Sequence, residues 1–177
     1  MKTIIPFCIL VLLIQISNGQ PFTKITSSTN PIASDLPETY YQGASWVDYD
    51  NDGKLDLFVV RKALYHNDGD GNFTKVTTSG INTSSGIGNS WADYDNDGDM
   101  DCFISGGDSR GSSLWTNNGN GTFTDRLNEF WTGDPFLDKH GSAWADFDND
   151  GDPDLAELYG VVGGTQIRDK PFYVNQS

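Results

Sequence analysis

Apolar residues along this chain come in short runs set between polar, turn-forming stretches. Leu57-Phe58-Val59-Val60, Cys102 to Ser105 and Leu155 to Leu158 each follow a run of aspartates. Runs of this length, bounded by Gly, Asn and Asp and rich in β-branched or aromatic residues, predict strands. A tryptophan stands two positions before the first Asp of each run (Trp46, Trp91 and Trp144), marking another strand ahead of each acidic loop. Between the loops, Leu64-Tyr65-His66-Asn67-Asp68-Gly69-Asp70-Gly71-Asn72-Phe73-Thr74 matches Leu114-Trp115-Thr116-Asn117-Asn118-Gly119-Asn120-Gly121-Thr122-Phe123-Thr124. Two strand-like arms around an Asn/Gly turn predict a hairpin. With helix formers scarce and turn residues plentiful, the expected class is all-β.

These pieces form one repeated unit. Ser45 to Leu57 recurs as Ser90 to Cys102 and again as Ala143 to Leu155. Each unit predicts four antiparallel strands, which is one β-propeller blade. Pro21-Phe22-Thr23-Lys24-Ile25 matches only the last strand of a unit, and Pro171-Phe172-Tyr173-Val174-Asn175 only the third. The chain therefore holds one strand, whole units over roughly residues 43–76 and 88–127, and three strands of another: about three blades' worth. Closed propellers typically have about 4–8 blades. The expectation is a piece of a longer product, with assembly of several copies as the alternative.

The formal net charge of -14 changes the picture only through its placement. Residues 48–56, 93–101 and 146–154 hold 14 of the 25 acidic residues, and the remaining 11 balance the 11 Lys and Arg. Like charges so concentrated repel unless a cation sits among them. A polyanion such as nucleic acid is not an expected partner.

All three stretches read Asp-x-Asp-x-Asp-Gly-x-x-Asp. Calcium takes 6–8 oxygen ligands, and alternating aspartates in a tightly coiled loop aim carboxylates at one centre while Gly at position 6 allows the turn. The expected ligands are Asp48, Asp50, Asp52 and Asp56; Asp93, Asp95, Asp97 and Asp101; and Asp146, Asp148, Asp150 and Asp154. Position 7 (Lys54, Asp99 and Asp152) would add its backbone carbonyl. About three Ca2+ per chain are expected. An EF-hand is set aside: position 12 is Val59 and Ile104 in the first two loops, Glu157 only in the third, and no flanking helices are indicated.

The loop and the Asn-x-Gly-x-Gly-x-Phe hairpin resemble the FG-GAP/VCBS repeats of integrin α-subunit propellers and related secreted proteins, from about residue 21 to the end. The resemblance implies a seven-bladed ring with structural calcium. It leaves function broad, since such propellers serve adhesion, act as lectins, or accompany enzymes.

Location reads from the N-terminus, where Lys2, an apolar run from Ile4 to Ile16 and the small Ser17 and Gly19 predict a secretory signal over residues 1–19, with the repeat region over 20–177. That run is too short to span a membrane, and no membrane anchor is expected. Removing the signal takes Cys8 and leaves Cys102, which stands where Leu57 and Leu155 stand and is expected to be a buried apolar thiol. Sequons at Asn72, Asn82, Asn120 and Asn175 are candidate glycosylation sites.

The three tryptophans, with Phe73 and Phe123, are expected in the core between blades rather than stacked on sugars. His66 and His140 stand in no Ser/His/Asp, Cys/His or zinc-ligand pattern, so no catalytic role is expected. The chain reads as a secreted calcium-binding module for recognition or adhesion, with an extracellular protein or glycan as partner. A lectin-like propeller and an accessory propeller of a larger extracellular enzyme are the alternatives. Recognition is expected in the long connections at residues 27–42, 79–89, 106–112 and 128–141.

Overall fold

The computed structural model describes residues 24, 26, 28–35, 42–81, 86–106, 111–126, 139–159, 161–162, 165–166 and 172–176. Residues 1–19, the strand expected at 21–25 apart from residue 24, and Asn82 lie outside them. Most of the connection at 128–141 does too.

Strands β1 (Ala44–Val47), β2 (Asp56–Val59), β3 (Ala63–Gly69) and β4 (Asn72–Val76) form one antiparallel sheet in that order. Strands β5 (Gly88–Ala92), β6 (Asp101–Ser105), β7 (Ser113–Asn117) and β8 (Phe123–Asp125) form a second of the same topology. In the third, β9 (Lys139–Ala145) pairs with β10 (Asp154–Tyr159), and β10 with β13 (Phe172–Tyr173). The register repeats, setting Trp46 opposite Leu57, Trp91 opposite Cys102 and Trp144 opposite Leu155. This is the all-β architecture of blades that the unit predicts. Two elements were not expected: a short helix α1 (Pro31–Ser34), capped by Asn30, and a ribbon of β11 (Val161–Val162) and β12 (Thr165–Gln166).

The sheets stack face to face, so their central strands are buried on both sides, which is why β2 and β6 read as unbroken apolar runs. Successive side chains point to opposite faces. Phe58, Val60 and Leu64 of the first sheet thus meet Cys102, Ile104, Trp115 and Phe123 of the second. Phe103 and Leu114 point the other way, to Leu155 and Trp144 of the third. Cys102 is fully buried, as its place in the repeat predicts, and burial pushes its thiol well above the ordinary value.

The first strands of adjacent sheets run close together. Gly43 N–H donates to Ile87 O at 2.6 Å, and a Cβ on Gly88 would lie 2.5 Å from His140 O, so only glycine fits there. Trp91 packs edge-on against Phe58 of the preceding sheet with ring centroids 5.3 Å apart, and Trp144 against Phe103 at 6.2 Å. Two expectations need correction. Trp46 is 57% exposed and touches Phe73 of its own sheet, and Phe73 belongs with it on the outer face of the first sheet. Their inter-blade role fails for a physical reason: among the described residues, no preceding blade supplies the phenylalanine that Phe58 and Phe103 supply to Trp91 and Trp144.

Candidate metal loops

The connections β1–β2, β5–β6 and β9–β10 are the three aspartate loops, and their internal hydrogen bonds repeat. Asp48 accepts from the N–H groups of Asp52 (3.0 Å) and Gly53 (2.9 Å). Asp93 accepts likewise from Asp97 and Gly98, and Asp146 from Asp150 and Gly151. Position 5 accepts from the N–H of position 7: Asp52 from Lys54, Asp97 from Asp99, Asp150 from Asp152. These bonds coil the loop through left-handed backbone at position 4 (Asn51 φ 56°, Asn96 φ 59°, Asn149 φ 62°) and at the position-6 glycines, whose φ runs from 83° to 103°. Asn and Gly are the residues that tolerate such angles.

Position 9 is the anchor. Asp56, Asp101 and Asp154 are at most 1% exposed, and each takes one N–H from its own loop and one from the third strand of its sheet or, for Asp154, from Asn175 just past that strand. For Asp101 these are Tyr94 N–H at 3.1 Å and Asn117 N–H at 2.8 Å; for Asp154, Phe147 N–H at 3.0 Å and Asn175 N–H at 2.8 Å. The same asparagine also reaches across blades, since Asn117 Nδ2 donates to Tyr49 O and Asn175 Nδ2 to Tyr94 O, both at 2.7 Å.

Carboxylate oxygens of Asp93, Asp95 and Asp101 lie within 4.8 Å of one another, as do those of Asp146, Asp148 and Asp154. In the first loop there are two such groups: Asp48, Asp50 and Asp52, and Asp50, Asp56 and His66. Asp97 and Asp150 stand outside these groups. In the second and third loops the donors are hard oxygens from positions 1, 3 and 9, with part of the lone pairs at positions 1 and 9 already held by backbone N–H groups, and such a set fits a divalent cation. Without a cation the crowding is costly. Burial first, then the charges of Asp95 and Asp97, push Asp101 from its ordinary 3.8 up to about 7. Burial likewise raises Asp56, with Asp50 adding to it.

Position 7 of the second and third loops links adjacent blades through its side chain. Asp99 Oδ1 accepts from Asn51 Nδ2 of the preceding loop, and Asp152 Oδ1 from Asn96 Nδ2, both at 2.6 Å. Asn at position 4 is thus a cross-blade latch as well as a turn residue. Lys54 instead pairs with Asp52 of its own loop. Asn96→Gly, which keeps the left-handed backbone and loses the latch, is expected to cost about 1 kcal/mol, and Asn96→Ala about 2 because alanine also strains the turn. Equilibrium denaturation of both variants checks the difference.

The sequence placed no metal-ligand pattern at the histidines, and His66 corrects that: its Nδ1 lies 3.2 Å from Asp50 Oδ2 and 3.3 Å from Asp56 Oδ1. It arrives from β3, in the next hairpin. Glu157 does not join the third loop; it is fully buried with its Oε2 3.2 Å from Lys139 Nζ.

A search of curated protein sequences returns no match. Among solved structures, a lectin from Agrocybe aegerita, described by its specific recognition of non-reducing terminal N-acetylglucosamine, is similar at 19% identity with a TM-score of 0.46, over 76% of this chain and 38% of that one. This chain spans well under half of that protein's length. The family model of the FG-GAP-like repeat matches residues 61–104 and 93–156. Together these cover more than half of the chain and two of its three aspartate loops, and the chain belongs to the FG-GAP-like repeat family.

Proposed function

We propose that this propeller module is secreted, binds Ca2+ as a structural ion in its three loops, and serves extracellular recognition without catalysing a reaction. The observation that supports it most is the threefold recurrence of one hydrogen-bonded carboxylate cradle, each anchored by a fully buried aspartate. A buried carboxylate at a converging oxygen site costs stability unless a cation offsets it. The cradles lie where the first two strands of each blade join, so an ion there stiffens the blade and leaves other loops to meet a partner. The partner class is an extracellular protein or glycan.

Glycans fit the exposed hairpin turns at Asn72 and Asn120 better than Asn175, whose Nδ2 already holds the blade interface. Expressed in a secretory cell line, the full chain should reach the medium with its first 19 or so residues removed. It should then bind members of glycan or extracellular-protein arrays in calcium and release them in chelator. Retention inside the cell contradicts secretion, and binding indifferent to chelator contradicts a calcium-dependent recognition surface.

A further inference from the structure

The first cradle differs chemically from the other two. At the repeat position where the second and third units carry Thr116 and Val174, the first carries His66. Its Nδ1 is shielded from solvent and, although 3.2 Å from Asp50 Oδ2 and 3.3 Å from Asp56 Oδ1, is aligned for a hydrogen bond with neither. Its Nε2 lies 3.9 Å from Asp68 Oδ1, and the ring stands edge-on to Tyr49 at 6.3 Å. A buried imidazole nitrogen aimed at two carboxylates and bonded to neither is the arrangement that a shared cation resolves.

We infer that His66, Asp50 and Asp56 form a mixed imidazole–carboxylate site that takes a divalent transition-metal ion of the zinc class in preference to calcium. Imidazole is a ligand for Zn, Cu, Fe and Ni, whereas calcium selects oxygen. Two ligands about 2.0–2.1 Å from one tetrahedral ion sit roughly 3.3–3.4 Å apart, close to the separations between His66 and its two aspartates. A second difference weakens the same loop toward calcium. Position 7 is Lys54 rather than Asp, and its ammonium group occupies Asp52. Calcium affinity follows ligand charge, so this loop holds calcium least tightly of the three, yet still takes it in zinc-free solution. The inference rests on the reading of the loops as calcium sites.

The test is a Zn2+ titration of the full chain in saturating calcium, followed by the imidazole NMR signals. The sequence has two histidines, so His66→Thr, which installs the residue of the second repeat, assigns them. One equivalent of zinc should move the His66 signals and leave those of His140 in place. Loss of an outer-shell partner alone costs about 10- to 100-fold in metal affinity, so losing the ligand itself in His66→Thr should weaken zinc binding by at least tenfold. Calcium uptake by the loops at 93–101 and 146–154 should be unchanged. Zinc that leaves His66 unmoved, or binds His66→Thr as tightly as the parent, while calcium fills the other loops, overturns this inference alone. No calcium uptake at those two loops overturns the reading beneath it.

Discussion

Chelation should lower the unfolding temperature of this chain by about 15–30 °C. The figure follows from linkage: at about 100 times its dissociation constant an ion that binds only the native state adds about 2.7 kcal/mol per site, or about 8 kcal/mol for three. For a chain of this length each kcal/mol moves the midpoint by about 2–4 °C. The same loops set an unusual pH dependence. With the carboxyl of Asp101 raised from 3.8 to about 7, and Asp56, Asp95 and Asp148 raised as well, the ion-free native state holds protons that the unfolded chain releases. Between about pH 4 and 7 its stability should therefore fall as pH rises. Calcium binds only the deprotonated carboxylates, so in saturating calcium the native state no longer holds those protons and the fall over the same window should disappear. Melting curves at pH 5 and pH 7, with calcium and with chelator, read both effects. Parallel slopes in the two conditions would contradict the assignment of the ion to these carboxylates.

The second large effect lies at the interface of the second and third blades. Lys139 and Glu157 are both fully buried, 3.2 Å apart; Ser112 Oγ donates to Glu157 Oε1, and Gly106 N–H to Ser112 Oγ at 3.1 Å. Lys139 N–H also donates to Gly106 O at 2.9 Å, so the pair ties the start of β9 to the end of β6. Burial raises the carboxyl of Glu157, and Ser112 and Lys139 oppose the rise. Removing one member of such a pair strands the other in a dry interior, so Lys139→Met should cost about 3–5 kcal/mol. Replacing both, Lys139→Met with Glu157→Leu, should recover most of that loss. Urea denaturation in saturating calcium measures each variant. A double variant no better than the single would mean that the hydrogen bonds of Glu157 to Ser112, rather than its charge, hold the interface.

The sequence makes the blades and the aspartate loops legible because both depend on local spacing. Alternate aspartates followed by glycine fix a coiled loop, and a repeated tryptophan strand and apolar run fix the register that pairs Trp91 with Cys102. What depends on blade stacking was not legible. The Asn51 and Asn96 latches join residues 48 and 56 positions apart. The Lys139–Glu157 pair exists only where β9 meets the second blade. Trp46 shares its sequence context with Trp91 and Trp144, yet its surroundings depend on a neighbouring blade and not on its own strand. His66 lay between these cases. Aligning the hairpins shows histidine where the other repeats have threonine and valine, but only the β2–β3 register brings it to Asp56.

The most direct test of structural calcium is the number of ions bound, counted by native mass spectrometry in zinc-free calcium buffer, for the parent and for Asp101→Asn. Three ions per chain are expected, and two when the buried anchor of the second loop loses its charge. A chain that binds none, or a variant that still binds three, would contradict structural calcium in these loops.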